Sequence, residues 1–237
     1  MSPRRLGKAG GADEPAGAVL LLCPAQAAPY LAAILAAANP DLSVISVSNA
    51  EQLARCAGET AKIARIISFW TNTIVPTHIL ERVSGTSYNF HPGPPSHPGR
   101  YPFVFALYDG ASHYGVTAHE MVRQVDAGPI VGMLGFALPP DPDPAWLAEQ
   151  AHAALIQLFL TLAPALARTD QALPHTALSW DQRRRCTRKA LEALCAIPPD
   201  ADKSELERRL KALRSVRGEG IRPHLSMHGH RFWLDEG

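Results

Sequence analysis

The sequence predicts an α/β protein, a doubly wound, mostly parallel sheet carrying a small C-terminal extension. Two observations carry this prediction. Short continuous apolar runs, the mark of strands buried on both faces, alternate with segments of helical period. The connections between these runs are long enough to be crossovers, which place successive strands parallel and helices on both faces of the sheet.

Ala18–Cys23 (Ala-Val-Leu-Leu-Leu-Cys) is the first strand, and a helix over 25–38 follows, with Tyr30, Leu31, Ile34 and Leu35 at helical spacing and Asn39-Pro40 as its stop. Leu42–Val47 is the second strand. Asn49, with Gln52 three residues on, reads as a capping box for a helix through Ala57. Ile63–Phe69 is the third strand, Pro76–Val83 a short helix, and Gly85–His91 the fourth strand, ended by Pro92. The apolar spacing of 101–108 predicts a helix. Tyr114–Met121 and Ile130–Leu138 then form a strand pair joined by a loop containing Asp126-Ala127-Gly128-Pro129. Asp143-Pro144 starts a long helix running to about Ala167 along Leu147, Ala151, Ala154, Leu155, Leu158 and Leu162. Beyond Ser179 a basic run, Arg183–Lys189, leads into a short helix; Asp202 and Glu205 cap another, and the chain closes in a hairpin at His228-Gly229. The expected organisation is a flexible tail over 1–16, an α/β domain over 17–178 and a helical and hairpin extension over 179–237.

Composition narrows the function. With 46% hydrophobic and 19% charged residues the chain builds a core and is not disordered. A net charge of +1 argues against general affinity for nucleic acid or membrane. The charge is uneven, however: residues 1–179 carry 10 Lys+Arg and 13 Asp+Glu, whereas 180–237 carry 13 and 9, so an anionic partner meets the C-terminal quarter. The cysteines Cys23, Cys56, Cys186 and Cys195 form neither a disulfide framework nor a zinc site, and they suit a reducing cytoplasm. No uninterrupted apolar run approaches the ~20 residues that span a bilayer, and the N-terminus does not read as a signal peptide. No G-x-G-x-x-G follows the first strand, so no dinucleotide cofactor is expected. No metal is expected either: His224, His228 and His230 lack a carboxylate or cysteine beside them and read as solvated surface.

Candidate chemistry concentrates at the end of the fourth strand. Residues two apart on a strand share a face, so Asn89 and His91 project together with Phe90 buried opposite. An amide and an imidazole there donate to a developing oxyanion, and ligands of such sheets sit outside the C-terminal strand ends. Asp126, in the loop of the next strand pair, is placed by the topology over the same edge. A carboxylate near an imidazole favours the protonated ring. The trio then supplies an amide donor, an imidazolium donor and a base or proton relay, which suits acyl transfer to an amine without a covalent enzyme intermediate. The bland readings are a solvated polar doublet and a turn aspartate.

The blocks Tyr88-Asn-Phe-His-Pro-Gly-Pro, then Gly99, Pro102 and Ala106, then Tyr114-Gly-Val-Thr-Ala-His and Val125-Asp-Ala-Gly-Pro-Ile-Val occur in an order that resembles the formyltransferase family using 10-formyltetrahydrofolate. Its members include glycinamide-ribonucleotide, methionyl-tRNA and amino-sugar formyltransferases. The resemblance is dense over 63–138. It implies catalytic roles for Asn89, His91 and Asp126, with the first two stabilising the oxyanion and Asp126 orienting His91 and moving a proton. It implies a pterin pocket built from Trp70, Asn72, Thr73, Ile74 and Val75 and from Arg123, Gln124 and Val125, with 10-formyltetrahydrofolate as formyl donor. His97 and Arg100 are the expected acceptor contacts, and His119 is read as structural. The sequence departs from the family at Gly93-Pro94-Pro95-Ser96, a variant nearer the sugar-modifying branch, and at Asn72, where the family has glycine.

The resulting expectation is a cytoplasmic N-formyltransferase acting on a small-molecule primary amine, with an amino sugar on a nucleotide as the acceptor. The tail is too short for a separate tRNA-binding domain. The alternatives are a formyltetrahydrofolate hydrolase, in which water replaces the amine, and a non-catalytic folate-binding module. The basic run at Arg183–Lys189 is either a phosphate or folate-glutamate site or a solvated basic face.

Overall fold

A computed structural model describes residues 17–216 and 221–234. The expected N-terminal tail over 1–16 lies outside the described residues. Nine strands are described: β1 (Ala18–Leu22), β2 (Val44–Val47), β3 (Ile63–Phe69), β4 (Tyr88–His91), β5 (His113–Glu120), β6 (Ile130–Ala137), β7 (Ala196–Ile197), β8 (His224–Met227) and β9 (His230–Trp233). The helices are α1 (Ala28–Ala38), α2 (Ala50–Glu59), α3 (Thr77–Leu80), α4 (Pro102–Tyr108), α5 (Pro144–Arg168), α6 (Arg188–Cys195) and α7 (Lys203–Leu213). The main sheet has the order β2-β1-β3-β4-β5-β6, and a small C-terminal sheet has the order β7-β8-β9. The chain divides into two compact units, 1–88 with 160–173 and 89–159 with 174–237.

In the first unit β1 pairs in parallel with both β2 and β3. Every residue of β1 and β3 is buried, as the unbroken apolar runs require. Asn49 caps α2 by accepting from the Gln52 N–H at 2.9 Å, and Gln52 Oε1 accepts from the Ser48 N–H, one residue earlier than a capping box would place it. Arg65 interrupts β3 as a fully buried cation. Its Nη2 donates to the Thr169 carbonyl at 2.5 Å, and its guanidinium lies 5.6 Å from the Tyr88 ring centroid.

In the second unit β5 and β6 are antiparallel, and the register shifts between Ala118 and His119 so that His119 faces Ile130. Such a bulge re-aims the side chain beside it. Phe90, on the face of β4 opposite Asn89 and His91, packs its ring 5.0 Å from that of Phe159 in α5. Asp143 caps α5 through the Ala145 and Trp146 N–H groups. At 25 residues α5 is long and apolar enough to cross a membrane by length and composition, although no uninterrupted apolar run of that length occurs in the sequence. Leu147, Ala151, Leu155 and Phe159 are nevertheless fully buried at helical spacing, which is the face of a core helix. The C-terminal segment holds the expected helices: Thr187 caps α6, and Asp202 caps α7 by accepting from the Glu205 N–H. The hairpin β8–β9 turns at His228 and Gly229, both at positive φ. His224 departs from expectation. It is buried and lies 5.1 Å from the Trp233 ring, because its strand pairs with both β7 and β9, while His228 and His230 stay exposed.

Candidate active site

β4 ends at His91, and the chain turns over Pro92 and Gly93 into a loop that reaches α4. Two side chains fix this turn. Tyr114 donates its hydroxyl to the Pro92 carbonyl at 2.7 Å, and Thr117 donates to the Gly93 carbonyl at 2.8 Å, both from β5. Gly93 has a steric reason. A Cβ there would sit 2.6 Å from His91 Nε2 and 2.7 Å from Pro102. The loop is also held from the C-terminal segment: Cys186 N donates to the Pro98 carbonyl at 2.7 Å, and Arg100 N donates to the Cys186 carbonyl at 2.9 Å. Gly99 lies between them at φ +97, a conformation that L side chains rarely adopt.

The structure brings Asn89, His91 and Asp126 together. His91 Nδ1 lies 3.5 Å from Asp126 Oδ2, and Asn89 Nδ2 lies 3.4 Å from Asp126 Oδ1. Asp126 is buried in the left-handed conformation (φ 48), which Asp tolerates better than most residues. The Gly99 N–H donates to Asp126 Oδ2 at 2.8 Å. Burial alone raises the carboxyl pKa, but the His91 ring, the His119 hydrogen bond and the Gly99 N–H outweigh it, and Asp126 is held well below the usual carboxylate range. It is a buried anion.

His91 behaves differently from the sequence expectation of a protonated ring. Its burial lowers the pKa below the ordinary value by more than Asp126 raises it, and the ring of His119 lowers it further. The imidazole is therefore neutral at neutral pH. Nδ1 faces Asp126 Oδ2 at 3.5 Å and Nε2 faces the His97 carbonyl at 3.4 Å; both neighbours are acceptors, so the single proton of the neutral ring serves one of them at a time.

Two residues join the site that sequence reasoning placed elsewhere. His119, read as structural, contacts both partners: its Nε2 is 3.1 Å from Asp126 Oδ1 and 3.1 Å from Asn89 Nδ2, while its Nδ1 is 2.8 Å from the Glu120 carbonyl. The β5–β6 bulge puts it there. Trp180, in the expected extension, stands edge-on to both imidazoles, 5.7 Å from His91 and 5.0 Å from His119, and donates Nε1–H to the Gly128 carbonyl at 2.9 Å. Gln182 adds a 2.8 Å bond to the Asp126 carbonyl.

The remaining predicted residues lie as follows. His97 is buried, with Ser96 Oγ 2.9 Å from its Nδ1 and Asp109 Oδ2 3.0 Å from its Nε2; Arg100 is exposed. Arg123 and Gln124 are exposed and Val125 half-buried in the loop that carries Asp126. Trp70, at φ 46, closes β3 in the first unit, followed by exposed Asn72, half-buried Thr73 and Val75, and Ile74 at 62% exposure. Ile74 beside half-buried Val75 leaves an apolar side chain facing solvent. Cys186 is no nucleophile, because burial, followed by the Asp109 carboxylate, pushes its thiol up to about 12.

Residues 27–158 match the formyl transferase family. The chain belongs to that family. Among solved structures of similar fold is a sugar N-formyltransferase from Shewanella sp FDAARGOS_354, at 16% identity and TM-score 0.69, covering 92% of this chain and 96% of that one. An N-formyltransferase from Helicobacter canadensis, solved with folinic acid and dTDP-3-aminofucose, shares 15% identity at TM-score 0.61 over 90% of this chain and 85% of that one. HypX from Aquifex aeolicus, solved with tetrahydrofolic acid, shares 16% identity at TM-score 0.56 over 91% of this chain and 36% of its own length. At these identities the likeness is one of fold.

Proposed function

We propose that this formyl transferase family enzyme moves the formyl group of 10-formyltetrahydrofolate to the primary amine of a nucleotide-linked amino sugar. One observation carries the reading: the Asn89 amide and the His91 imidazole at the tip of β4 each stand within 3.5 Å of the buried Asp126 carboxylate. The sugar acceptor is supported by the Gly93–Ser96 loop variant and by the fold shared with sugar N-formyltransferases.

The folate supplies an activated formyl carbon. Asn89 donates its amide hydrogens to the oxygen that gains charge as the amine adds. His91, neutral before the reaction, takes the proton that the amine sheds and returns it to the folate nitrogen that leaves as the formyl C–N bond breaks. Asp126 stabilises the imidazolium so formed through Nδ1–H. His119 and the Gly99 N–H hold Asp126 in place, and Trp180 limits water around both rings. Trp70, Asn72, Thr73, Ile74, Val75, Arg123, Gln124 and Val125 hold the folate, and His97 and Arg100 contact the acceptor.

The test is a coupled assay with 10-formyltetrahydrofolate and a panel of amines, including dTDP- and UDP-linked amino sugars, that follows tetrahydrofolate release and product mass. A formylated amino sugar is expected. Formate release without any amine identifies a hydrolase instead, and folate binding without turnover identifies a binding module; either outcome sinks the reading.

A further inference from the structure

Next to the loop after β4, and separate from the Asn89–His91–Asp126 cluster, lies a cavity of about 350 Å³. His97, Asp109, Arg183, Arg184, Arg185 and Arg209 supply its polar wall, and Phe105 and Leu194 are among its apolar lining. Four guanidiniums around one small cavity are a heavy concentration of charge in a chain of net +1. We propose that this cavity is a phosphate site that receives the diphosphate of the nucleotide-linked acceptor. The inference rests on the acceptor reading above and deepens it.

The four arginines are not equivalent. Arg209 is a fixed wall: its Nε donates to Glu205 at 2.6 Å, and its Nη1 donates to the Leu194 carbonyl at 2.9 Å and to those of Ala193 and Ala196. Arg184 is bonded to Asp109, whose same oxygen also meets His97 Nε2, so the one carboxylate inside the cavity is already shared by two donors. Arg183 pairs with Asp181 while its side chain remains 91% exposed, and an exposed pair of this kind is worth little and exchanges readily. Arg185 has no side-chain partner among the described residues. Arg183 and Arg185 are therefore the guanidiniums able to turn onto a ligand, and a planar fork of N–H donors matches phosphate oxygens bidentately.

The place of the cavity in the chain links it to the chemistry. Cys186, which follows Arg185, clamps the loop on either side of Gly99, and Gly99 holds Asp126. His97 lines the cavity, and its carbonyl faces His91 Nε2. His97 therefore lies between the cavity and the imidazole, and an acceptor whose phosphates are anchored in the cavity has its sugar free to extend past His97 towards the formyl carbon.

Calorimetric titration of the full chain with thymidine diphosphate and with pyrophosphate tests this. The wild type is expected to bind thymidine diphosphate. Arg185→Gln should weaken that binding roughly tenfold or more and Arg183→Gln/Arg185→Gln further, while Arg185→Lys retains part of it. Folinic acid affinity and the melting temperature should not move in any variant. Unchanged nucleotide affinity in the Gln variants overturns the cavity assignment and leaves the acceptor reading standing. A wild type that formylates simple amines but binds neither probe overturns the acceptor reading and this inference together. Loss of folinic acid binding instead gives the arginines to the carboxylates of folate, which also overturns the proposal.

Discussion

The backbone N–H of Gly99 donates to Asp126 Oδ2 at 2.8 Å, so the loop that leaves β4 positions the carboxylate that serves His91. Gly99 occupies φ +97, and a Cβ there would run into the Cys186 carbonyl. Gly99→Ala should lower both the melting temperature and turnover, with a loss of roughly 1–3 kcal/mol in stability, the range for backbone strain of this kind. A variant with wild-type stability and rate counts against the Gly99 clamp.

Asn89→Ala and His91→Ala should each reduce formyl transfer by at least ~10², the usual loss of one oxyanion donor for Asn89 and of a positioned general base for His91, with far-UV circular dichroism unchanged. Single-turnover rates separate this loss from weakened binding. Rates near wild type in either variant remove that residue from the mechanism.

His119 acts through its neighbours. His119→Phe keeps a ring beneath Trp180 but removes the contacts to Asp126 and Asn89. Turnover should fall about tenfold, within the spread expected for a general acid–base arrangement that has lost its alignment, and the acid limb of the pH–rate profile should shift because the His119 ring contributes to the lowered His91 pKa. A purely structural residue would change stability and leave the pH profile in place.

The pH dependence has a definite sign. His91 and His97 are both lowered below the ordinary histidine value by burial. The unfolded chain therefore binds these protons at higher pH than the native one, and stability rises with pH across the interval. It is complete above about pH 6.5, the ordinary histidine value, and is lost as pH falls through the native pKa. Melting temperatures of wild type should drop from pH 7 towards pH 5 (roughly the range in which histidine titrates) more steeply than those of His91→Gln. Formyl transfer, which needs neutral His91, should show its acid limb below about pH 6.5.

Arg65 offers a stability test away from the site. Among the described residues its Nε and Nη1 have no hydrogen-bond partner, and burial lowers its pKa. Arg65→Ala leaves a cavity beside Tyr88 and an unpaired Thr169 carbonyl, so a loss of roughly 2–5 kcal/mol, as for other large-to-small core changes, is expected from denaturant unfolding.

The strands were legible because their signals are local. Ile63–Phe69 is an unbroken apolar run and became β3 with the same limits, and Asp143-Pro144 announced the start of α5. Asn89 and His91 could be paired from strand periodicity alone, and topology sufficed to bring Asp126 near them. His119 could not be read this way, because its aim depends on a bulge that sequence spacing does not display. Trp180 was hidden for another reason: 89 residues of chain separate it from His91, and nothing local to Leu178–Gln182 records where that segment returns. The protonation of His91 was misjudged because a neighbouring carboxylate is visible in a sequence, whereas the degree of desolvation is not.

The clasp between Gly99 and Cys186 has a bearing on biosynthesis. A ribosome that has released β1 through α5 has made the amide, the imidazole and the carboxylate, yet the strap that seats the loop around Gly99 and the indole that shields both rings still await translation. Chains cut short before this point carry every reacting group without the backbone strap at Gly99 or the indole beside the two imidazoles.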